Sequence, residues 1–236
     1  MISVLPLVIG AVLGAYFNIK EKFIGIISAL GAGAIIGALS FGLMNESFTL
    51  GGFDNAIIGF LAGAVLFIIG DFVIIKIGGR GHKRTYKHKT DFTTSWGLIL
   101  AAILDGIPEA VALGASLFLS PQIGLLVLVG IILNNFPEAT ASAYDLKRIG
   151  KKTKYILAYW SMIALVLLVC VILGYTIFNT LSPSVTATLQ SLAAGALLAM
   201  VASTMMPEAF RESGLDASMA TVVGYILIFI LSRFGV

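Results

Sequence analysis

The chain has 236 residues, of which 58% are hydrophobic and 11% are charged. Ordinary soluble domains carry roughly 25% charged residues, so the composition excludes a water-soluble globular protein and predicts an integral membrane protein. The net charge of +3 comes from basic loops beside the membrane, and we therefore expect no nucleic-acid partner.

Apolar runs long enough to cross the hydrocarbon core predict an all-α, polytopic membrane protein with eight transmembrane helices. We treat residues 1–236 as a single transmembrane domain. The single cysteine, Cys170, lies in the sixth run, which excludes an internal disulfide bond and a thiolate metal cluster. The predicted spans are 1–18, 23–44, 54–77, 96–119, 122–146, 154–179, 185–210 and 216–236.

Basic residues are concentrated in alternate loops. Fourteen of the 15 Lys and Arg residues lie between spans 1 and 2, 3 and 4, 5 and 6, or 7 and 8, and only Arg233 lies on the opposite side. The positive-inside rule makes these loops cytoplasmic and places both termini outside, with a strongly basic cytoplasmic loop at about 78–94. The lipid bilayer is then a partner, and the predicted location is the cell (inner) membrane.

Short repeats link different spans. Pro-Glu-Ala occurs at 108–110, 137–139 and 207–209, each time within or at the end of an apolar run. Spans 2 and 7 also end in similar segments, 43–47 and 205–209, and leave the membrane on opposite sides. This pattern is typical of the inverted-topology repeats of transporters, with spans 1–3 related to 6–8 and span 4 to span 5.

Carboxylates interrupt spans 4 and 5. Glu109 directly follows Pro108, and Glu138 directly follows Pro137. Each proline frees the carbonyl four residues before it, as Pro137 does for Leu133. Because a charged side chain near the bilayer centre costs at least about 2.5–3.5 kcal/mol, we expect a bound cation or protons to compensate these acids.

Helical spacing gathers further oxygens near the two glutamates. Residues four apart share one face of a helix, which aligns Asp105 with Glu109 and Asn134 with Glu138, with Asn135 alongside. If the two helices face each other, they offer a ring of oxygen ligands for a cation. The simpler interpretation is that the prolines are packing kinks and the acids are protonated and bond between helices.

Two other classes of function compete with transport. A membrane-embedded hydrolase would use a metal at the same acids to activate water, but it needs a general base and an open metal position. The sequence has no His-Glu-x-x-His helix to support it. A passive cation channel or a scaffold is the other alternative, although proline-interrupted acids in two helices favour a gated carrier.

Spans 4 and 5 resemble those of the ZIP (Zrt/Irt-like) divalent metal-ion transporters. The family carries His-Asn-x-Pro-Glu-Gly in its fourth helix and a related polar-polar-x-Pro-(His/Glu) pattern in its fifth, and here the segments are 105–110 and 134–138. The eight spans, the outside termini, the histidines His82 and His88 between spans 3 and 4, and Pro207-Glu208 agree with the family. The resemblance covers nearly the whole chain.

The resemblance implies roles for individual residues. Glu109 and Glu138 match the metal-bridging acids, and Asp105 occupies the place of the first metal-binding histidine. Asn134 and Asn135 match the paired polar ligands of the fifth helix. The family implies a membrane transporter rather than an enzyme, with the metal ion as its substrate and no resident cofactor.

The departures from the family pattern affect the choice of metal. Asp105 replaces a histidine, and no histidine lies in any span, so a single site of Asp105, Glu109 and Glu138 is favoured over a two-metal site. Carboxylate ligands suit manganese as well as zinc, and we expect zinc, iron or manganese as the transported ion. Glu208 is either a ligand on the exit pathway or an interfacial acid near Arg211, and a homodimer is the assembly we consider.

Overall fold

The structure is a computed structural model and describes residues 2–17, 19–76 and 92–234. Every regular element within these residues is helical. The histidines His82 and His88, and most of the basic loop predicted at about 78–94, lie outside the described residues. The α-helices are α1 (Leu5–Tyr16), α2 (Glu21–Ala38), α3 (Met44–Lys76), α4 (Phe92–Leu119), α5 (Pro121–Arg148), α6 (Thr153–Phe178), α7 (Pro183–Met200), α8 (Met206–Ser213) and α9 (Leu215–Phe234).

Six helical stretches within the described residues are long and apolar enough to cross a membrane. The first of these, Glu21–Lys76, has 56 residues, which at about 1.5 Å per residue would extend about 84 Å, more than twice the thickness of the hydrocarbon core. It is interrupted at Gly52, whose φ of 76° is a left-handed conformation that favours glycine. The all-helical membrane architecture predicted from the sequence is confirmed, and the count of eight spans stays a prediction.

Two short π-helices occupy equivalent places in two segments of the chain. Each follows an 18-residue α-helix: Leu39–Leu43 follows α2, and Val201–Met205 follows α7. The two π-helices start 162 residues apart, at residues 39 and 201, and the starts of α2 and α7, at residues 21 and 183, are separated by the same interval. The same interval separates Gly52 from Gly214, and both glycines have positive φ. The described chain therefore contains two segments with the same succession of helix, π-helix, helix and glycine break.

The helices pack in two groups. α1, α4, α5 and α6 form one group, with α1 against α5 and α4 against α6. α2, α3, α7, α8 and α9 form the other, with α3 against α7 and α2 against α9. The groups meet where α2 packs on α5 and α4 packs on α7. We call the first group the four-helix bundle, because it carries the candidate metal ligands of α4 and α5.

A glycine permits a close approach between the groups. A Cβ atom on Gly31 of α2 would lie 2.9 Å from the backbone carbonyl oxygen of Leu133 in α5. Real Cβ atoms do not approach backbone atoms this closely, so a larger residue would push α2 away from α5. The carbonyl that Pro137 frees from helical hydrogen bonding therefore lies against the backbone of α2.

Polar contacts identify which helix ends lie together. Lys22 at the start of α2 pairs with Asp216 at the start of α9 at 2.7 Å, and Arg148 at the end of α5 pairs with Glu21 at 3.6 Å. These exposed pairs contribute little stability. At the opposite end, Ser47 Oγ donates a 2.6 Å hydrogen bond to the Ala187 carbonyl, which joins α3 to the start of α7. These contacts place the starts of α2 and α9 and the end of α5 at one end of the structure, and the start of α7 at the other.

Candidate metal site between α4 and α5

A one-residue turn sets α4 and α5 side by side. α4 ends at Leu119 and α5 begins at Pro121, and Ser120 Oγ accepts a 3.5 Å hydrogen bond from the Ile123 backbone N–H. A proline at the first helical position suits this start because its missing N–H would have no partner in the helix. The two helices are therefore antiparallel neighbours. Each continues through its internal proline, Pro108 or Pro137, as an α-helix.

Glu109 and Asn134 form a direct polar contact between the two helices at this site. Asn134 Nδ2 donates a 2.7 Å hydrogen bond to Glu109 Oε1, and the two side chains are 3% and 2% exposed. Glu109 Oε2 is buried and has no hydrogen-bond partner among the residues that the structure describes. One oxygen of the carboxyl group is thus satisfied by an amide, and the other is open to a proton or a cation.

Two further acids lie near Glu109. Asp105, one helical turn earlier on α4, is 8% exposed, and Glu138 on α5 is partly buried. Both lie close enough for their charges to act on Glu109. Because like charges repel strongly away from water, such a group favours a positive ion or protons in its midst.

Asn135 has a different environment from Asn134. Its Nδ2 donates a 3.2 Å hydrogen bond to the Ser3 backbone carbonyl, and its side chain is buried. The amide therefore links α5 to the segment just before α1. The direct partner of Asn135 in the described structure is a backbone carbonyl, and its role as a ligand stays a prediction.

Two small cavities meet at Glu109. One is lined by Ser3, Gly106, Glu109 and Asn135, among others, and the other extends from Glu109 toward Leu43 and Leu197. Each has a volume of about 10 Å³, near the minimum that one water molecule needs. Glu109 therefore lies between two narrow spaces, one beside α1 and one beside α2 and α7.

The remaining predicted ligand lies elsewhere. Glu208 is on α8, which packs mainly against α2 and α9, and its side chain is partly buried. Within residues 2–17, 19–76 and 92–234, no group of three or more His, Cys, Asp or Glu side chains is arranged to hold a metal ion. A site at Glu109 would therefore need amide, carbonyl or water ligands, or a small movement of Asp105 and Glu138.

Sequence patterns did not indicate two of the polar contacts. The spacing of α5 places Asn134 with Glu138, whereas in the structure the direct partner of Asn134 is Glu109 on the neighbouring helix. Gln190 of α7 is completely buried and donates to Glu46 Oε2. The signal that could have drawn attention to Gln190 is an amide in an otherwise apolar helix, because such groups need a partner when buried.

The comparison with protein families agrees with the resemblance stated above. The family model described as "ZIP Zinc transporter" matches residues 78–232, which is about two thirds of the chain and includes all of α4 to α8. No curated protein matches the chain significantly. The matched family consists of membrane transporters rather than enzymes, and its metal ions are transported substrates. The chain belongs to the ZIP zinc transporter family.

Proposed function

We propose that this protein carries divalent cations through a site between α4 and α5. Glu109 holds the ion, Asp105 and Glu138 contribute further carboxylate oxygens, and the Asn134 amide completes the protein ligands. The observation that carries the proposal is the buried Glu109 carboxyl group, which has an amide on one oxygen and no partner on the other among the described residues. Three acids close to one another in apolar helices need positive charge or protons.

Rotation of the Asn134 amide offers a simple switch between the empty site and the site with a bound ion. In the described arrangement the amide N–H group occupies one side of Glu109. Rotation of the amide by about 180° would replace its N–H donor with its carbonyl oxygen, which is a cation ligand. A divalent ion could then take over the stabilisation of Glu109 without a change of helix position.

The ligand set favours broad rather than strict zinc selectivity. All candidate ligands on α4 and α5 are oxygen atoms, which suit manganese and magnesium-like ions, while imidazole and thiolate favour zinc. Zinc also accepts carboxylate oxygens at about 2.0–2.2 Å. The proposed substrate is therefore zinc, iron or manganese, and Asp105 is one of the positions at which this chain departs from its family.

The mechanism that we propose is a rocking motion of the four-helix bundle against the other helices. The constant interval of 162 residues between equivalent boundaries supports inverted repeats of spans 1–3 and 6–8. The helix contacts support the same relation. If α1, α2 and α3 are equivalent to α6, α7 and α9, and α4 to α5, the contact of α3 with α7 becomes that of α9 with α2. The contact of α1 with α5 likewise becomes that of α6 with α4. The Gly52 break supports division of Glu21–Lys76 into two spans, giving eight with α1.

The charge distribution supports the orientation. Lys22 and Arg148 lie at the same end of the helices as the start of α9, and we assign this end to the cytoplasm of an inner-membrane protein with both termini outside. The ion would enter at the other end, and Glu208 on α8 would receive it on the cytoplasmic side. Two copies would form the homodimer.

Metal flux into proteoliposomes tests the proposal. The wild-type protein is expected to take up one or more of manganese, iron, zinc, cobalt and cadmium, and Glu109→Gln is expected to reduce uptake to that of protein-free liposomes. Asp54→Asn is the matched control, because it removes an exposed acid of α3 far along the chain from the site. Wild-type uptake by a correctly inserted Glu109→Gln protein would exclude the site.

A further inference from the structure

A second buried amide–carboxylate contact lies between α3 and α7, outside the four-helix bundle. Gln190 Nε2 donates a 2.9 Å hydrogen bond to Glu46 Oε2, and the Gln190 side chain is completely buried. Gln190 Oε1 is also buried, and it has no hydrogen-bond partner among the residues that the structure describes. A buried amide oxygen without a partner loses its hydration without compensation. Within the described part of the chain, the Gln190 amide therefore has a satisfied N–H group and an unsatisfied oxygen.

The two groups have the chemistry of a cation site. Glu46 supplies a carboxylate that is partly exposed, and Gln190 supplies a neutral carbonyl oxygen. Hard divalent cations take such oxygen ligands together with water. As at Glu109 and Asn134, rotation of the Gln190 amide would replace the donated N–H with the carbonyl oxygen and leave room for a cation beside the carboxylate.

The position of this pair connects it to the central site. Gln190 and Leu197 are seven residues apart on one face of α7, about 10 Å along the helix. Leu197 lines the cavity that reaches Glu109, together with Leu43, which lies three residues before Glu46. A path that starts at the end of the structure where α7 begins therefore meets the polar pair first. The two leucines come next, and Glu109 lies nearest the centre.

The repeat places an acid at the equivalent position near the other end. Glu46 lies three residues after the first π-helix, and Glu208 lies three residues after the second. π-Helical turns occur often beside functional residues. An acid near each end of the protein, with Glu109 between them, is the arrangement expected of an ion path with a waiting position on each side.

We propose that Glu46 and Gln190 form an outer binding site for divalent cations, from which the ion passes Leu43 and Leu197 to reach Glu109. Water completes the coordination at this site, because Glu46 keeps part of its surface exposed. This inference rests on the proposed transport function and adds a second, independent ligand pair to it. The site raises the local concentration of the ion at low external metal.

Binding and flux measurements on the full chain separate the two sites. Manganese binding to the detergent-solubilised protein is measured by the loss of the free-ion electron paramagnetic resonance signal. Glu109→Gln is expected to retain one class of bound manganese, and Glu46→Gln in that background is expected to remove it. In liposomes, Glu46→Gln alone should raise KM about tenfold while kcat stays within about twofold, since it weakens capture rather than passage.

A matched control tests whether the contact is only structural. Ser184→Ala removes the 2.9 Å hydrogen bond from Asn55 Nδ2 that joins the same two helices, and it should leave KM unchanged. Glu46→Gln keeps an oxygen that can accept the Gln190 N–H, so it is expected to fold. Gln190→Glu adds a second carboxylate, and it should strengthen manganese binding if the pair holds a cation.

The outcomes distinguish this inference from the proposed function. Unchanged KM for Glu46→Gln, together with unchanged manganese binding in the Glu109→Gln background, would overturn the outer site while leaving the central one intact. Weaker manganese binding by Gln190→Glu would overturn it as well, since two acids without a cation only repel. Wild-type flux by Glu109→Gln would instead overturn the central site and the passage from Glu46 to Glu109, while the manganese measurement would still decide whether Glu46 and Gln190 bind a cation.

Discussion

Asn134 and Glu109 join the two proline-containing helices through a buried hydrogen bond of 2.7 Å between Nδ2 and Oε1. The amide donor satisfies one oxygen of this carboxyl group, and Oε2 is left without a hydrogen-bond partner among the described residues. In the proposed mechanism this contact stabilises the empty state, and an ion that also recruits Oε1 must displace a single neutral donor. Hydrogen bonds to charged groups contribute about 1.5–3 kcal/mol, which a divalent ion with several oxygen ligands can exceed.

The first prediction concerns this donor. Asn134→Leu keeps the branched shape of the side chain but leaves the buried Glu109 carboxyl group without its amide partner, so the metal-free protein should lose about 1–3 kcal/mol of stability. Thermal unfolding in detergent, with and without manganese, measures the effect. Asn55→Leu is the control outside the site: it also loses hydrogen bonds, but manganese should still stabilise it as it stabilises the wild type. A metal-free Asn134→Leu protein as stable as the wild type would show that the hydrogen bond is not formed.

The second prediction concerns selectivity. Asp105→His restores the nitrogen ligand that the family has at this position, and imidazole favours zinc over manganese. The ratio of zinc to manganese flux should therefore rise relative to the wild type. Competition assays in proteoliposomes give this ratio directly. An unchanged ranking of metals would mean that Asp105 does not contact the ion.

The third prediction concerns protons. A metal ion binds deprotonated carboxylates, so any protons held by Asp105, Glu109 or Glu138 in the empty state must leave when the ion arrives. Metal affinity should then fall as the pH is lowered from about 8 to about 5. Calorimetry in two buffers with different ionisation enthalpies reports the number of protons released per ion. An affinity independent of pH, with no proton release, would rule out proton exchange at these acids.

The fourth prediction concerns the contact between the helix groups. Gly31→Ala places a Cβ atom 2.9 Å from the Leu133 carbonyl oxygen, a backbone atom that cannot move without α5. Overpacking of this kind typically costs about 1–3 kcal/mol, and transport should slow because the moving surfaces are pushed apart. Gly70→Ala is the control, since its Cβ would meet the flexible end of the Leu104 side chain at 3.0 Å. Equal melting temperatures for the two variants would contradict this account.

Composition and apolar run length predicted much of the fold, because the bilayer requires long helices whose backbone groups are satisfied internally. The run predicted at 122–146 is the helix Pro121–Arg148, and the run predicted at 154–179 is Thr153–Phe178. The boundary after span 2 was harder to locate. Helix continues through residues 45–51 up to the Gly52 break, because nothing in that polar segment interrupts it as a proline would.

The sequence indicated candidate ligands but not their contacts across helices. A spacing of four predicts which residues share a helix face, as it does for Asp105 and Glu109. It carries no information on the rotation of one helix against another, so the contact of Asn134 with Glu109 could not be predicted. The π-helices were also not predicted, since no residue type marks one extra residue in a turn.

The most direct test of the central claim is the position of the bound metal ion. Crystals of the wild-type protein grown with zinc, and measured at the zinc absorption edge, should show an anomalous peak about 2.0–2.2 Å from a Glu109 carboxylate oxygen. A carboxylate of Asp105 or Glu138 should lie within the same distance of the peak, with the Asn134 amide turned from donor to ligand. A zinc ion bound elsewhere, with Glu109 still hydrogen-bonded to Asn134 at zinc concentrations that support transport, would contradict the account.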